Sequence, residues 1–284
     1  MTMSAVLPEK RGHLDALREL VLLLTRHRQL TWEMTKREIT DRYAGQVFGT
    51  LWAVGHPLLL MALYVFVFGY IFPSRVGRSD ELPRNLTTYI LAGMIPWLTF
   101  SEAMGKASSV IVGHAALVKQ VVFPIEILPV KGVLASFLTQ LVATSILLVY
   151  MGAAEHAWPA TLLLLPVLFF VQLLAMVGVS YVLASVGVYF RDLKDFVQVF
   201  VTAGLFLAPI LYQPAQLNQV ARPFRWVLYA NPFSHLVWCY QDAVYFGRLE
   251  HPVSWVIVAV LSSGVFYGGY RVFRKLKALF GDAL

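Results

Sequence analysis

KREITDRYAGQVFGTLWAVGHPLLL, residues 36–60, changes character halfway along. Six of its first seven residues, Lys36, Arg37, Glu38, Thr40, Asp41 and Arg42, are charged or hydroxylic, and within ten residues the chain is almost purely apolar. A charged segment fused directly to a long apolar run is the pattern of a helix lying on a membrane surface and running into one that crosses it.

Composition agrees. The chain has 284 residues, 58% of them hydrophobic and only 14% charged, where soluble domains carry roughly 25% charged residues. So little charge cannot cover a water-exposed surface, and the bulk solvent is lipid. The net charge of +7 invites a nucleic-acid reading. The cations are scattered at the edges of apolar runs, so no nucleic-acid partner is expected. With Cys239 as the single cysteine, no intrachain disulfide forms. No secretory leader is expected, because the first apolar run, 20–24, is short and set among charges.

A crossing helix needs about 20 mostly apolar residues. The runs 51–72, 86–104, 132–153, 161–188, 196–212 and 252–270 meet or approach this, which predicts an all-α integral membrane protein with six spans. A seventh run, 226–241, is short and is interrupted by Asn231-Pro232. Proline lacks an amide donor and disfavours helix just before it. Residues 224–246 therefore read as two short helices that dip into the membrane and return, with a plain interfacial loop as the alternative. Seventeen of the 23 lysines and arginines fall on the side that holds both termini. The positive-inside rule then makes both termini cytoplasmic and 213–251 extracytoplasmic. The division is a cytoplasmic N-terminal region, 1–49, a transmembrane domain, 50–272, and a short cytoplasmic tail, 273–284.

The span centres contain no Asp, Glu, Lys or Arg, and Gln140 and Gln172 are the strongest polar groups there. An ion-driven carrier needs a carboxylate at mid-membrane. Nor does the chain carry its own ATPase. The nearest approach to a phosphate-binding loop, FSEAMGKA at 100–107, has Phe100 for the first glycine and Ala107 for the hydroxyl. The seven histidines show no metal-binding spacing, so no metal site and no catalytic residues are expected. Arg191, Asp192, Lys194 and Asp195 in RDLKD read as a salt-bridged turn.

A transmembrane module without a motor should present docking surfaces. Leu30, Met34, Ile39 and Val47 suggest an apolar stripe on the opening helix, with Glu33, Lys36, Arg37, Asp41 and Arg42 on its other faces. Gly45 and Gly49 permit a tight turn into the first span. A second candidate is GHAALVKQVVFPIEILP, 113–129, where 114–122 can form a short helix stopped at Phe123-Pro124. For each of them a plain anchor or connector is the alternative.

The run TKREITDRYAGQVFGTLWAVGHPLL, 35–59, resembles the N-terminal signature of the membrane permeases of bacterial polysaccharide-exporting ABC transporters. The residues carrying it are Arg42-Tyr43, Gly49, Trp52 and Pro57. LVKQVVFPIEILPV, YFRDLKDFVQVF and the segment from LAPILYQP to NPFSHLV follow in the family's order. The resemblance implies a homodimer with two copies of a separate ATPase that binds ATP and Mg, so that this chain holds no cofactor. The cargo it implies is a lipid-linked glycan, O-antigen first, with teichoic acid, capsule or a small hydrophobic molecule as alternatives. It implies that the helix at about 28–44 and a coupling helix at about 114–123 meet the ATPase through Lys36, Arg37, Glu38, Arg42, His114, Lys119, Gln120, Phe123 and Glu126. Arg191 and Asp192 would lie at the cytoplasmic end of the channel, and the broken segment containing Asn231 at its outer mouth. The first and fifth spans would line that channel.

Tyr64, Phe68 and Phe72 recur every four residues on the first span, and Phe196 and Phe200 do so on the fifth. They are channel candidates, because flat aromatic surface lets sugar C–H faces slide, although each could instead face lipid. Gly264 and Gly268 have the spacing of a helix-packing motif, for contacts within the protomer or across the dimer. Leu14, Leu17, Val21 and Leu24 would share a face if 1–25 is helical. The rival class is a membrane-embedded glycosyl- or acyltransferase, which would need clustered His or acidic residues near a membrane face.

Overall fold

The computed structural model describes residues 22, 25–67, 71, 84–120, 124–156, 158–212 and 222–283. The helix expected in 1–25 lies almost wholly outside these residues, as do Phe68, Phe72, Phe123 and the side chain of Gln120. Among the described residues every regular element is helical: α1 Arg28–Arg42, α2 Trp52–Phe66, α3 Leu86–Ala107, α4 Val110–Gly113, α5 Ala115–Gln120, α6 Ile127–Tyr150, α7 Leu165–Tyr189, α8 Leu193–Leu207, α9 Arg222–Ala230, α10 Pro232–Gln241, α11 Pro252–Lys277 and α12 Phe280–Ala283.

Among the described residues four helical stretches are long and apolar enough to cross a membrane: Gly49–Phe66, Ile127–Glu155, Ala160–Tyr189 and Pro252–Lys277. The chain is a multi-pass membrane protein. The other two expected spans are α3 and α8. α3 has 22 residues, but most of its length is buried and Glu102 and Lys106 occupy its last turns. α8 has 15 residues, about 22 Å at 1.5 Å per residue and short of a hydrocarbon core of about 30 Å.

The helix ends follow from a few residues. α6 begins earlier than its apolar run because Pro129 falls in the first turn, where a missing amide proton costs no intrahelical bond. That start draws Lys131 into the helix. α8 stops at Leu207 because Ala208 precedes Pro209 and is extended. α11 runs on through Arg274, Lys275 and Lys277, cations that suit a helix C-terminus. Gly45 and Gly49 both take positive φ, 77° and 49°, in the turn that joins α1 to α2.

α3 is the central element and packs against α6, α7, α8 and α10. The most extensive pairing is α7 with α11. A Cβ on Gly269 would lie 2.1 Å from the carbonyl oxygen of Gly178, and one on Gly178 would lie 2.5 Å from that of Val265. This corrects the expected packing motif within the protomer. Gly264 and Gly268 have open space around them, and the contact glycine is Gly269.

One polar node crosses the apolar interior. Gln140 on α6 and Gln172 on α7 exchange hydrogen bonds of 2.9 Å in both directions. Tyr240 on α10 donates to Gln172 Oε1 and accepts from Gln140 Nε2 at 3.0 Å. Gln172 Nε2 also reaches the Pro96 carbonyl of α3 at 3.3 Å. All three side chains are buried and each finds partners, as an interior without water requires.

Candidate functional site

The helices leave one end of the molecule densely charged. α1 packs against α6 there. Its buried residues are Thr31 and Thr35, while Leu30 and Trp32 are exposed and Met34 is partly buried against the core. The face docked on α6 is thus the threonine face, and of the stripe of Leu30, Met34, Ile39 and Val47, expected to face lipid, Leu30 and Val47 are exposed. Each threonine hydroxyl bonds a carbonyl one turn back, Thr35 to Thr31 at 2.7 Å and Thr31 to His27 at 3.0 Å. Their methyl groups are left to pack, so a polar-looking helix buries a face without orphaned donors.

Three turns of α1 lead to the charges. Glu38 Oε2 lies 3.0 Å from Lys131 Nζ, and its Oε1 lies 3.7 Å from Lys106 Nζ. Lys106 pairs with Glu102 at 2.9 Å, and Arg42 pairs with the same carboxylate at 2.6 Å. Lys131 is the deepest member, with its side chain 8% exposed. Its ammonium also lies 3.0 Å from His114 Nε2. His114 Nδ1 lies 2.8 Å from the Val110 carbonyl, which assigns the ring proton to Nδ1 and leaves Nε2 as the acceptor for Lys131. One ammonium therefore joins α1, α6 and the junction between α4 and α5.

Burial alone would raise the pKa of Glu38, but Lys131, with lesser help from Lys106, outweighs it and holds the carboxyl below its usual 4.5. A depressed pKa contributes stability above the unfolded value, and that stability is lost as pH falls through the folded value. Protection of the α1 amides, corrected for the fall of the intrinsic exchange rate with pH, should therefore decline as pH drops below 4.5. In Glu38→Gln that acid step should be absent, and an identical step in the variant would remove Glu38 as its origin.

Lys36 pairs with Glu33 at 2.7 Å and Arg37 with Asp41 at 3.4 Å, both on the outward face of α1. Lys119 of α5 is exposed as well. These three are free to meet a partner. Glu126 is corrected as a surface contact: it is buried, its Oε1 lies 2.7 Å from Lys277 at the end of α11, and its carbonyl accepts from Tyr181 at 3.1 Å. The expected salt-bridged turn is also corrected. Arg191, Asp192, Lys194 and Asp195 are exposed and make no ion pair among the described residues.

The channel candidates divide. Tyr64 is half-buried on the wall of a cleft of about 240 Å³ between α2, α3 and α6, with Arg42 and Glu102 at its charged end. Phe196 is 73% exposed on α8. Phe200 instead joins an aromatic group with Trp97 and Phe233, at 6.4 and 5.9 Å between ring centres. Asn231 has a structural part: its side chain accepts from the Phe233 amide at 3.0 Å and donates to the Leu207 carbonyl at 3.0 Å. It caps α10 and ties it to the end of α8. Asn231→Ala should cost about 1 kcal/mol through the lost cap, read as a lowered thermal midpoint in detergent.

Sequence reasoning missed Glu102, Lys106, Lys131 and Lys277. The i, i+4 spacing of Glu102 and Lys106 was a signal for the first two. Lys131 and Lys277 meet partners far away in sequence, and nothing local announces them.

Residues 29–245 match a family described as ABC-2 type transporter. The chain is 29% identical over 267 residues to the O-antigen export system permease protein RfbA of Myxococcus xanthus, covering 93% of this chain and 99% of that protein. It is 25% identical over 256 residues to a protein of the same name from Klebsiella pneumoniae, covering 88% and 93%.

Proposed function

The chain belongs to the ABC-2 type transporter family, and from that premise we propose that it is the membrane-spanning half of an ATP-driven exporter of lipid-linked O-antigen. As a transport permease and not an enzyme, it works with an ATP-binding subunit. In our reading two such subunits, which hold ATP and Mg, sit on the charged end of a permease homodimer in the bacterial inner membrane. Both termini are cytoplasmic, and α3 and α8 complete six spans. The nearly full-length likeness to proteins named as O-antigen export permeases supports the cargo.

The observation that carries the coupling is the Lys131 junction. The ATPases push on the outward face of α1, through Lys36 and Arg37, and on α5, through Lys119. Neither helix moves alone, because Glu38 and His114 share one ammonium at the root of α6. The push therefore reaches α3 and α6 together and parts the two permease halves. Exposed apolar side chains on α2 (Leu59, Leu63, Phe66) and α8 (Phe196, Val199, Phe206) supply the surface that the dimer and its channel need.

Deleting the gene and locating the polymer tests this reading. Lipid-linked glycan should accumulate on the cytoplasmic side and the cell surface should lose it. Unchanged surface polymer in a strain without a second exporter would refute it.

A further inference from the structure

At the end opposite the charged network, a cleft of about 770 Å³ opens between α9, α10 and the start of α11. Its volume falls in the range of small-ligand sites. One wall is aromatic and open: Trp226 is 73% exposed and Tyr229 is 56% exposed, three residues apart on α9. The floor is aromatic and fixed. Trp238 is buried and lies 5.1 Å from the Tyr229 ring, and the His251 ring stacks on it at 5.2 Å with 7° between planes.

This floor is held rigidly from behind. Asp242 is fully buried and its carboxylate takes three donors: the His251 amide at 2.9 Å, His251 Nδ1 at 2.8 Å and Trp255 Nε1 at 3.1 Å. The imidazole is thereby locked with Nε2 as its remaining polar atom. His235, also in the lining, has both nitrogens engaged, with Ser254 and with the Tyr229 carbonyl. That second bond fixes α9, and with it the open wall, relative to the floor.

The charge of the cleft selects its occupant. Among the described residues no lysine or arginine lines it, and the carboxylate in its lining is that of Glu250, whose Oε2 is paired with Arg248 at 2.7 Å. Among these lining side chains a phosphate-bearing headgroup would meet the Glu250 carboxylate. A neutral sugar meets flat ring faces for its C–H surfaces, with Glu250 Oε1 and His251 Nε2 for its hydroxyls. We infer that this cleft is a binding site for neutral sugar residues of the exported glycan, engaged as the chain leaves the outer mouth. The inference rests on the exporter reading for the side of the membrane and the identity of the cargo. A site here would hold emerged sugars against backsliding between ATP cycles.

The test uses the full-length chain in phosphatidylcholine nanodiscs and the delipidated, end-labelled surface polysaccharide of the source bacterium as probe. Saturable binding is expected, weakened at least tenfold in Trp226→Ala/Tyr229→Ala, whose two side chains are exposed and should leave folding intact. Glu250→Gln, which keeps the aromatic walls, should weaken binding several-fold. No saturable binding, or equal binding by the double variant, would overturn the inference. So would binding abolished by phosphatidylethanolamine or phosphatidylglycerol in the nanodisc, since the cleft would then be a lipid headgroup site. If gene deletion still traps polymer inside the cell while the cleft variants bind normally, only the sugar site fails. If deletion leaves surface polymer intact, the exporter reading itself fails.

Discussion

Gly269→Leu should unseat the last long helix from α7 and leave little folded protein in detergent, whereas Gly268→Leu should be close to neutral. The difference of one residue follows from what each side chain would meet. A Cβ at Gly269 points at the Gly178 backbone, with its carbonyl oxygen at 2.1 Å, whereas Gly268 has nothing within 4 Å. Backbone cannot step aside as a flexible side chain does, so the helices must part along their length. Overpacking in a core costs typically 1–3 kcal/mol, and a backbone obstruction at the most extensive helix pair belongs at or above the top of that range. Thermal unfolding followed by size-exclusion chromatography reads the effect. Equal losses in the two variants would place the close contact elsewhere.

Lys131→Glu should abolish export while leaving the protein in the membrane. The wild-type ammonium is nearly buried between the Glu38 carboxylate and His114 Nε2. Removing one partner of a buried pair costs about 3–5 kcal/mol, because the other is left unpaired, and reversing the charge adds repulsion from Glu38. α1 would then lose its main tie to α6. The Glu38→Lys/Lys131→Glu double variant restores opposite charges across the same gap and should recover part of the export. Lys36→Ala, on the outward face, should leave the network intact and weaken only docking of the ATPase. Recovery is the decisive observation: a double variant as inactive as the single one would mean that the pair does not transmit force.

Much of this architecture was legible in the sequence, for physical reasons that also mark where legibility ends. Long uncharged runs announce helices in lipid, and Asn231-Pro232 announced a break that the structure realises as α9 meeting α10. Glycines at 45 and 49 announced a turn that only positive φ allows. Helix ends were less readable. Pro129 looks like a stop, yet it sits in a first turn where its missing proton is harmless. Faces were the least readable, because periodicity reports hydrophobicity and not the neighbour. α1 docks through threonines that satisfy themselves, and α11 docks through Gly269 and not through the pair with the familiar spacing. Glu126 looked like an exposed charge between prolines, and only the end of α11 reveals its partner, Lys277. The charged network escaped for the same reason, since Glu38, His114 and Lys131 are joined by tertiary structure alone.

The central claim is that this permease is moved by work done on its charged end by another subunit. Translocation in inverted membrane vesicles tests it most directly. With the partner ATPase and ATP present, lipid-linked O-antigen should pass into the vesicle lumen and become protected from added glycosidase, and Lys131→Glu should stop it. Passage at the same rate without the ATPase or without ATP would contradict the claim.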